Sequence, residues 1–264
     1  MSDSPGDVKR ATITIAGAEI EYFERGKGAP LLYLHGGGGL GPDSGFLDLL
    51  AKQRRVIAPS HPGFGKSGLP DWIDSVDDIA HIHLELMDRL GLAKVDMVGC
   101  SIGGWIANEM ATKVPERIRR LALVAPVGVK TGPPDTLDIP DIFTMAPDKL
   151  PGIMFHNPAK FQPDFAKLPD EALHIMARNR ETLTLLVWEP YMHNPKLPHR
   201  LQRLDMPVLF TRGASDGLVS GAYIERYARL IPGARIATIA EAGHAPQAEQ
   251  PAALAKTIVD FLEA

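Results

Sequence analysis

Ser101, Asp216 and His244 are the residues around which a reaction could be built. A serine hydroxyl attacks a carbonyl only when a base takes its proton. An imidazole does this near neutral pH, and a carboxylate holds that imidazole in the right tautomer and offsets the charge it gains. Ser101 lies in Gly99-Cys100-Ser101-Ile102-Gly103, which fits G-x-S-x-G. Val95-Asp96-Met97-Val98 before it reads as a buried strand, and a helical period starts at Ile102. Small residues on both sides permit a sharp strand-to-helix turn that projects the hydroxyl at the carboxyl edge of a sheet. There the helix N-terminus favours developing negative charge, and the N–H of Ile102 is available to an oxyanion.

Nine histidines could supply the base. His81 and His83 stand two apart on a predicted helix and cannot share a face. His156, His174, His193 and His199 fall in a segment read below as a lid, His61 is in a turn, and His35 opens a glycine run. His244, in Glu241-Ala242-Gly243-His244-Ala245-Pro246, follows the last predicted strand on the same sheet edge as Ser101 and is the best-placed base. Asp216, in Arg212-Gly213-Ala214-Ser215-Asp216, follows the preceding strand at that edge. The other position for an acid, after the strand at 121–124, holds Ala125 and Pro126 and offers no carboxylate.

The glycine run at 36–39 invites two readings. Gly36, Gly38 and Gly41 satisfy the dinucleotide pattern G-x-G-x-x-G, but the stretch Val56-Ile57-Ala58-Pro59-Ser60-His61 lacks the acid that pattern needs for a ribose. The better reading is a loop whose backbone N–H groups point into a cavity, since glycine lets main chain approach a ligand closely. Gly65-Lys66-Ser67 resembles the end of a phosphate-binding loop, yet Ser60 occupies the leading glycine position, and Pro62 and Pro70 flank it where a strand and a helix should be. It reads as a turn.

These residues need a scaffold, and the surrounding pattern provides one. Short β-branched runs at 12–16, 19–24, 31–35, 55–58, 95–99, 120–124, 207–212 and 235–239 alternate with helical segments at 43–51, 76–90, 102–113, 221–230 and 248–262. That is the signature of a largely parallel sheet flanked by helices, an α/β fold whose first two strands form an antiparallel hairpin. Between Pro126 and Pro163 eight prolines interrupt the alternation, and 166–187 regains a helical period with Leu173, Met176, Ala177 and Leu183 on one face. Residues 1–126 and 201–264 are therefore expected to form the core, and 127–200 an inserted helical lid.

Composition limits the function classes. The chain has 264 residues, 45% of them hydrophobic, enough for one sizeable core. The 28 basic residues against 32 acidic ones, in no run longer than a pair, argue against nucleic acid as a partner. Cys100 is the single cysteine, which excludes an intrachain disulfide and any thiolate-built zinc site and suits a reducing compartment. The start at 1–7 is polar and acidic, unlike an export signal, and no apolar run approaches the roughly 20 residues that cross a bilayer. A soluble cytoplasmic protein with a small-molecule substrate is expected, and a homo-oligomer is compatible with all of this.

Taken together, His35-Gly36-Gly37-Gly38, Pro62-Gly63-Phe64-Gly65-Lys66-Ser67, Gly99-Cys100-Ser101-Ile102-Gly103-Gly104, Gly213-Ala214-Ser215-Asp216 and Gly243-His244 resemble the α/β-hydrolase superfamily over nearly the whole chain. The order Ser, Asp, His agrees. The resemblance implies an eight-stranded, mostly parallel sheet with a lid after the sixth strand, Ser101, Asp216 and His244 as the catalytic triad, and the N–H groups of Gly37 and Ile102 as the oxyanion hole. It implies no metal and no organic cofactor. Serine at the elbow, where dehalogenases and epoxide hydrolases of this superfamily carry aspartate, leaves ester or related acyl chemistry, and an ester hydrolase is the main expectation.

Two alternatives accompany it. The glycine run also resembles that of hydrolases cleaving carbon-carbon bonds of vinylogous diketones, although those enzymes usually place tryptophan after the catalytic histidine, where this chain has Ala245. For such a substrate Arg178, Arg180 and Trp188 could bind a carboxylate and an aromatic ring. The other alternative is a catalytically silent receptor using the same cavity, against which the intact triad argues. Cys100 stands where histidine is often found, and is expected to be buried packing because it points away from the cavity if Ser101 points in.

Overall fold

The computed structural model describes residues 8–161 and 164–264. The acidic start at 1–7 and Pro163, both used in the reading above, lie outside them. Its strands are β1 (Lys9–Ile15), β2 (Ala18–Arg25), β3 (Pro30–Leu34), β4 (Arg55–Pro59), β5 (Val95–Cys100), β6 (Ile118–Val124), β7 (Val208–Gly213) and β8 (Arg235–Ile239). Its helices are α1 (Ser44–Ala51), α2 (Val76–Arg89), α3 (Ile102–Lys113), α4 (Leu150–Met154), α5 (Pro158–Phe161), α6 (Asp170–Val187), α7 (Gly221–Ala228), α8 (Pro246–Glu249) and α9 (Pro251–Glu263). The strands form one sheet in the order β1-β2-β4-β3-β5-β6-β7-β8. β1, β2 and β4 pair antiparallel, and every pairing from β4 through β8 is parallel. This is the α/β-hydrolase fold that the resemblance implies.

Side chains alternate along each strand, so the sheet has two apolar faces. Leu32, Leu34, Met97, Leu121 and Leu123 pack on one side with α2, α3 and α7; Leu31, Tyr33, Val98, Ala122 and Val124 pack on the other with α1 and α9. Because the inner strands are parallel, the loops that follow them all emerge at one edge. The chain leaves β3 for β4 on one side, while β5 lies on the other, and this reversal opens a crevice at the carboxyl ends of β3 and β5. His35 and Ser101 sit at that point.

The described residues between β6 and β7 form helices and turns, with one isolated bridge between Gly128 and His193. Two helices differ from the sequence reading. The helix expected from 166 starts at Asp170, because Pro169 disfavours helical backbone at Leu168. The helix expected over 248–262 is two helices, broken where Gln250 adopts φ −134° and ψ 56° ahead of Pro251, which has no N–H to donate. The apolar face assigned to α6 is also corrected: Met176 and Ala177 are exposed, and Asn179, Thr182, Leu186 and Val187 are buried. Core backbone groups near α6 need hydrogen-bond partners, and polar side chains supply them.

The turn between β5 and α3 is held under strain. Ser101 has φ 52° and ψ −116°, a conformation that a non-glycine residue keeps only when its surroundings enforce it. The surroundings are tight. A Cβ on Gly103 would collide with the carbonyl oxygen of Leu34, and one on Gly99 would lie 2.8 Å from the Cα of Gly104. Glycine on both sides of Ser101 thus lets α3 dock against β3 and β5 while the serine is forced outward. The Ser101 N–H still finds a partner, the carbonyl of Val124 at 2.9 Å.

Candidate active site

The three residues chosen for their chemistry converge. Ser101 Oγ lies 3.0 Å from His244 Nε2, and His244 Nδ1 lies 3.1 Å from Asp216 Oδ2. The other carboxylate oxygen of Asp216 accepts the N–H groups of Leu218 and Val219 at 2.9 and 2.8 Å, which fixes the plane of the carboxylate. Asp216 Oδ2 therefore accepts a hydrogen bond from Nδ1–H, and Nε2 is left bare to accept from the serine. The loops carrying Asp216 and His244 are joined by Ala214 N–H to Ile239 and Ser215 N–H to Ala242, at 2.8 and 2.9 Å.

The glycine loop reaches the same place. A Cβ on Gly36 would stand 3.5 Å from the Cβ of Ser101. Among the described residues, the N–H groups of Gly37 and Ile102 donate to no protein acceptor, so both remain available to a ligand. Such a constellation can deprotonate an alcohol, direct it at a carbonyl, and hold the resulting oxyanion.

The alpha/beta hydrolase family profile matches residues 31–257. The chain belongs to the α/β-hydrolase family. Among its relatives is the 2-hydroxymuconate semialdehyde hydrolase of Pseudomonas putida, 26% identical over 270 residues, covering 95% of this chain and 92% of the relative. The 2-hydroxy-6-oxo-2,4-heptadienoate hydrolase of Pseudomonas putida strain F1 is 34% identical over 143 residues, 52% of this chain and 51% of that one. In structure, a meta-cleavage product hydrolase from Pseudomonas fluorescens IP01 superimposes with a TM-score of 0.81 at 22% identity, over 96% of this chain and 97% of that one.

In this α/β-hydrolase, residues after β6 are tied to the site at three points. Leu183 of α6 covers Gly37, where a Cβ would lie 2.7 Å from its Cδ2. Asn179 donates to the Gly38 carbonyl at 3.1 Å and accepts the Gly65 N–H at 2.9 Å, and Thr182 donates to the Gly63 carbonyl at 2.9 Å. At the other end, the carbonyls of Ile153 and Met154 accept the N–H groups of Gly217 and His244 at 3.0 and 2.6 Å. Glu249 completes this tie by accepting from the N–H groups of Gly243, His156 and Asn157. None of Asn179, Thr182 or Glu249 was selected from the sequence.

The residues suggested as a carboxylate and ring site make contacts with the protein itself. Arg178 donates to the carbonyls of Gly65 and Ser67 at 3.0 and 2.5 Å. Arg180 donates to the Ile142 carbonyl at 3.1 Å and stacks over Phe143 at 5.4 Å. Trp188 is 51% exposed and packs on Phe143 at 5.8 Å. All three fasten helical segments to their surroundings. The Gly65-Lys66-Ser67 stretch is a turn, with Ser67 N–H on the Phe64 carbonyl at 2.9 Å and Lys66 paired to Glu171 at 2.6 Å.

Cys100 is buried behind the elbow, 3.3 Å from the Tyr33 hydroxyl, and burial raises its thiol well above the ordinary range. It is a packing residue. His61 and His83, passed over as bases, are buried together with His35 beneath the glycine loop. Burial lowers all three imidazoles, His35 to about 4, His83 to about 3 and His61 well below its usual value, so they are uncharged near neutral pH. Among the described residues, no group of three or more His, Cys, Asp or Glu side chains is arranged to hold a metal ion, and no helix is long and apolar enough to cross a membrane.

Proposed function

We propose that this hydrolase cleaves a small carbonyl compound through an acyl-enzyme on Ser101, and that its substrates are vinylogous diketones split at a carbon-carbon bond. The observation that carries the chemistry is the unbroken hydrogen-bonded line from Ser101 through His244 to Asp216 at the end of a strained turn. The whole-length relative named as a 2-hydroxymuconate semialdehyde hydrolase supports the substrate class.

His244 Nε2 takes the Ser101 proton as Oγ bonds to the carbonyl carbon. The N–H groups of Gly37 and Ile102 receive the oxyanion, and Asp216 offsets the charge on the imidazole. Collapse of the oxyanion breaks the bond to the leaving group, which takes the proton from His244. In a vinylogous diketone that group departs with its electron pair delocalised over a conjugated carbonyl, and the proton goes to carbon. Water then gives a proton to His244, its oxygen attacks the acyl carbon, and Ser101 leaves with the proton restored. The segment 127–200 acts as a lid over this chemistry, with Leu183 on Gly37 keeping solvent from the oxyanion loop.

Ester hydrolysis is the second reading, favoured by one observation. Arg178 and Arg180, the lid cations that could hold the carboxylate of a dienoate, are engaged with backbone carbonyls. Steady-state kinetics on a 2-hydroxy-6-oxo-dienoate, followed by loss of its chromophore, against 4-nitrophenyl acetate and butyrate separates the two. Carbon-carbon cleavage predicts kcat/KM at least about tenfold higher on the dienoate. Turnover of the esters with none of the dienoate leaves the ester reading in its place.

A further inference from the structure

The four glycines at 36–39 ought to be loose, because a peptide between two glycines flips at little steric cost. If the Gly37 N–H is an oxyanion donor, something must hold the Gly36–Gly37 peptide in one orientation. Three buried imidazoles lie directly beneath it. His35 and His61 stack with ring centroids 3.8 Å apart, and Phe64 closes both rings edge-on at 5.2 and 5.8 Å. His83 approaches from α2, whose start is fixed by a capping box in which the Ser75 hydroxyl accepts the Asp78 N–H and the Asp78 carboxylate accepts the Ser75 N–H.

The proton positions follow from the partners. The main-chain N–H of His61 can only donate, and it points at His35 Nε2 at 3.0 Å. Nε2 of His35 is therefore bare, and the ring proton sits on Nδ1, 2.7 Å from the Gly36 carbonyl. His61 Nε2 lies 2.9 Å from the His35 carbonyl, which can only accept, so His61 is protonated at Nε2 and bare at Nδ1. That bare Nδ1 accepts from His83 Nε2 at 2.7 Å. His83 is then bare at Nδ1, and that atom meets no hydrogen-bond partner among the described residues. Moving the His83 proton to Nδ1 would set two lone pairs against each other at His61, and again at the His35 carbonyl once His61 followed. One arrangement satisfies the whole ladder.

The carbonyl of Gly36 and the N–H of Gly37 belong to one planar trans peptide and point in opposite directions. We propose that His61 and His83 are positioning residues for the oxyanion hole: their fixed tautomers pin the His35 carbonyl, the His61 main-chain N–H fixes the His35 ring, whose Nδ1–H holds the Gly36 carbonyl, and together these aim the Gly37 N–H at the reacting carbon's oxygen. The inference rests on the acyl-enzyme reading above.

The test pairs a rate with a spectroscopic signature. His83→Phe fills the volume but removes the donor; His83→Gln keeps an N–H near the position of Nε2. The second-order rate constant for labelling by a fluorophosphonate should fall roughly 10- to 100-fold in His83→Phe, short of the full loss of an oxyanion donor, and recover most of the way in His83→Gln. Nitrogen-15 NMR of the histidines should show His61 protonated at Nε2 in the wild type, with its bare Nδ1 hydrogen-bonded, and that Nδ1 moved to the shift of an unbonded imidazole nitrogen in His83→Phe. A folded His83→Phe that labels at the wild-type rate overturns the proposal. So does a wild-type spectrum with the His61 proton on Nδ1, a measurement that needs no variant to fold. The spectrum can be recorded equally in Ser101→Ala, so failure of the ladder and failure of the triad are read separately.

Discussion

Ser101→Ala loses at least about 10³-fold in kcat/KM on any substrate the wild type turns over, with its thermal midpoint little changed. The hydroxyl is the atom that bonds to the substrate, and Oγ makes its hydrogen bond to His244 Nε2, so its removal takes away the nucleophile and leaves the fold. His244→Ala should cost a similar factor, and the double variant little more than either, because residues acting as one unit are not additive. The residual rate comes from the N–H groups of Gly37 and Ile102 and from binding. Steady-state kinetics with active protein quantified independently checks this. A Ser101→Ala protein that keeps wild-type turnover would mean that some other group performs the chemistry.

The second large effect is expected at Asp216→Asn, about 10⁴-fold in kcat with little change in stability. Oδ1 of Asp216 is held by the N–H groups of Leu218 and Val219, and an asparagine carbonyl oxygen keeps both bonds. The amide NH₂ must then face His244 Nδ1, where it can only donate. The imidazole responds by carrying its proton on Nε2, facing Ser101, and can no longer accept one. Asp216→Ala would in addition leave two buried N–H groups unpaired and so should lower the thermal midpoint, which Asp216→Asn should not. Circular-dichroism melts beside the kinetics distinguish tautomer from stability.

The fold and the triad were legible for physical reasons. Alternation of β-branched runs with helical periods reports burial on a parallel sheet, and parallel strands deliver all their following loops to one edge. Ser101, Asp216 and His244 each follow such a strand, so their convergence could be inferred without knowing a distance. The residues between β6 and β7 were less legible. The direction of a long side chain there depends on how helices with few strand partners lie on the core. Arg178 and Arg180 have the right chemistry for a carboxylate, yet backbone carbonyls at Gly65, Ser67 and Ile142 take their donors.

Asn179 and Thr182 were missed because polar residues in a helix are ordinarily read as its solvated face; here they satisfy backbone groups of glycine turns. His83 did leave a trace. It lies four residues after Ile79 and three before Leu86 on the apolar stripe of α2, so a histidine at that position should be neutral and buried. Its partner His61, on a turn 22 residues earlier, and His35, 26 residues before that, had no sequence signal, because they share no element with α2.

The claim on which the rest depends is that Ser101 becomes covalently acylated. Acid-quenching the protein during turnover of a short-chain nitrophenyl ester, followed by peptide mass mapping, tests this directly. An added acyl mass is expected on the peptide carrying Ser101, and none on the same peptide of Ser101→Ala. Acyl mass on another residue, or turnover with none at Ser101, would contradict it.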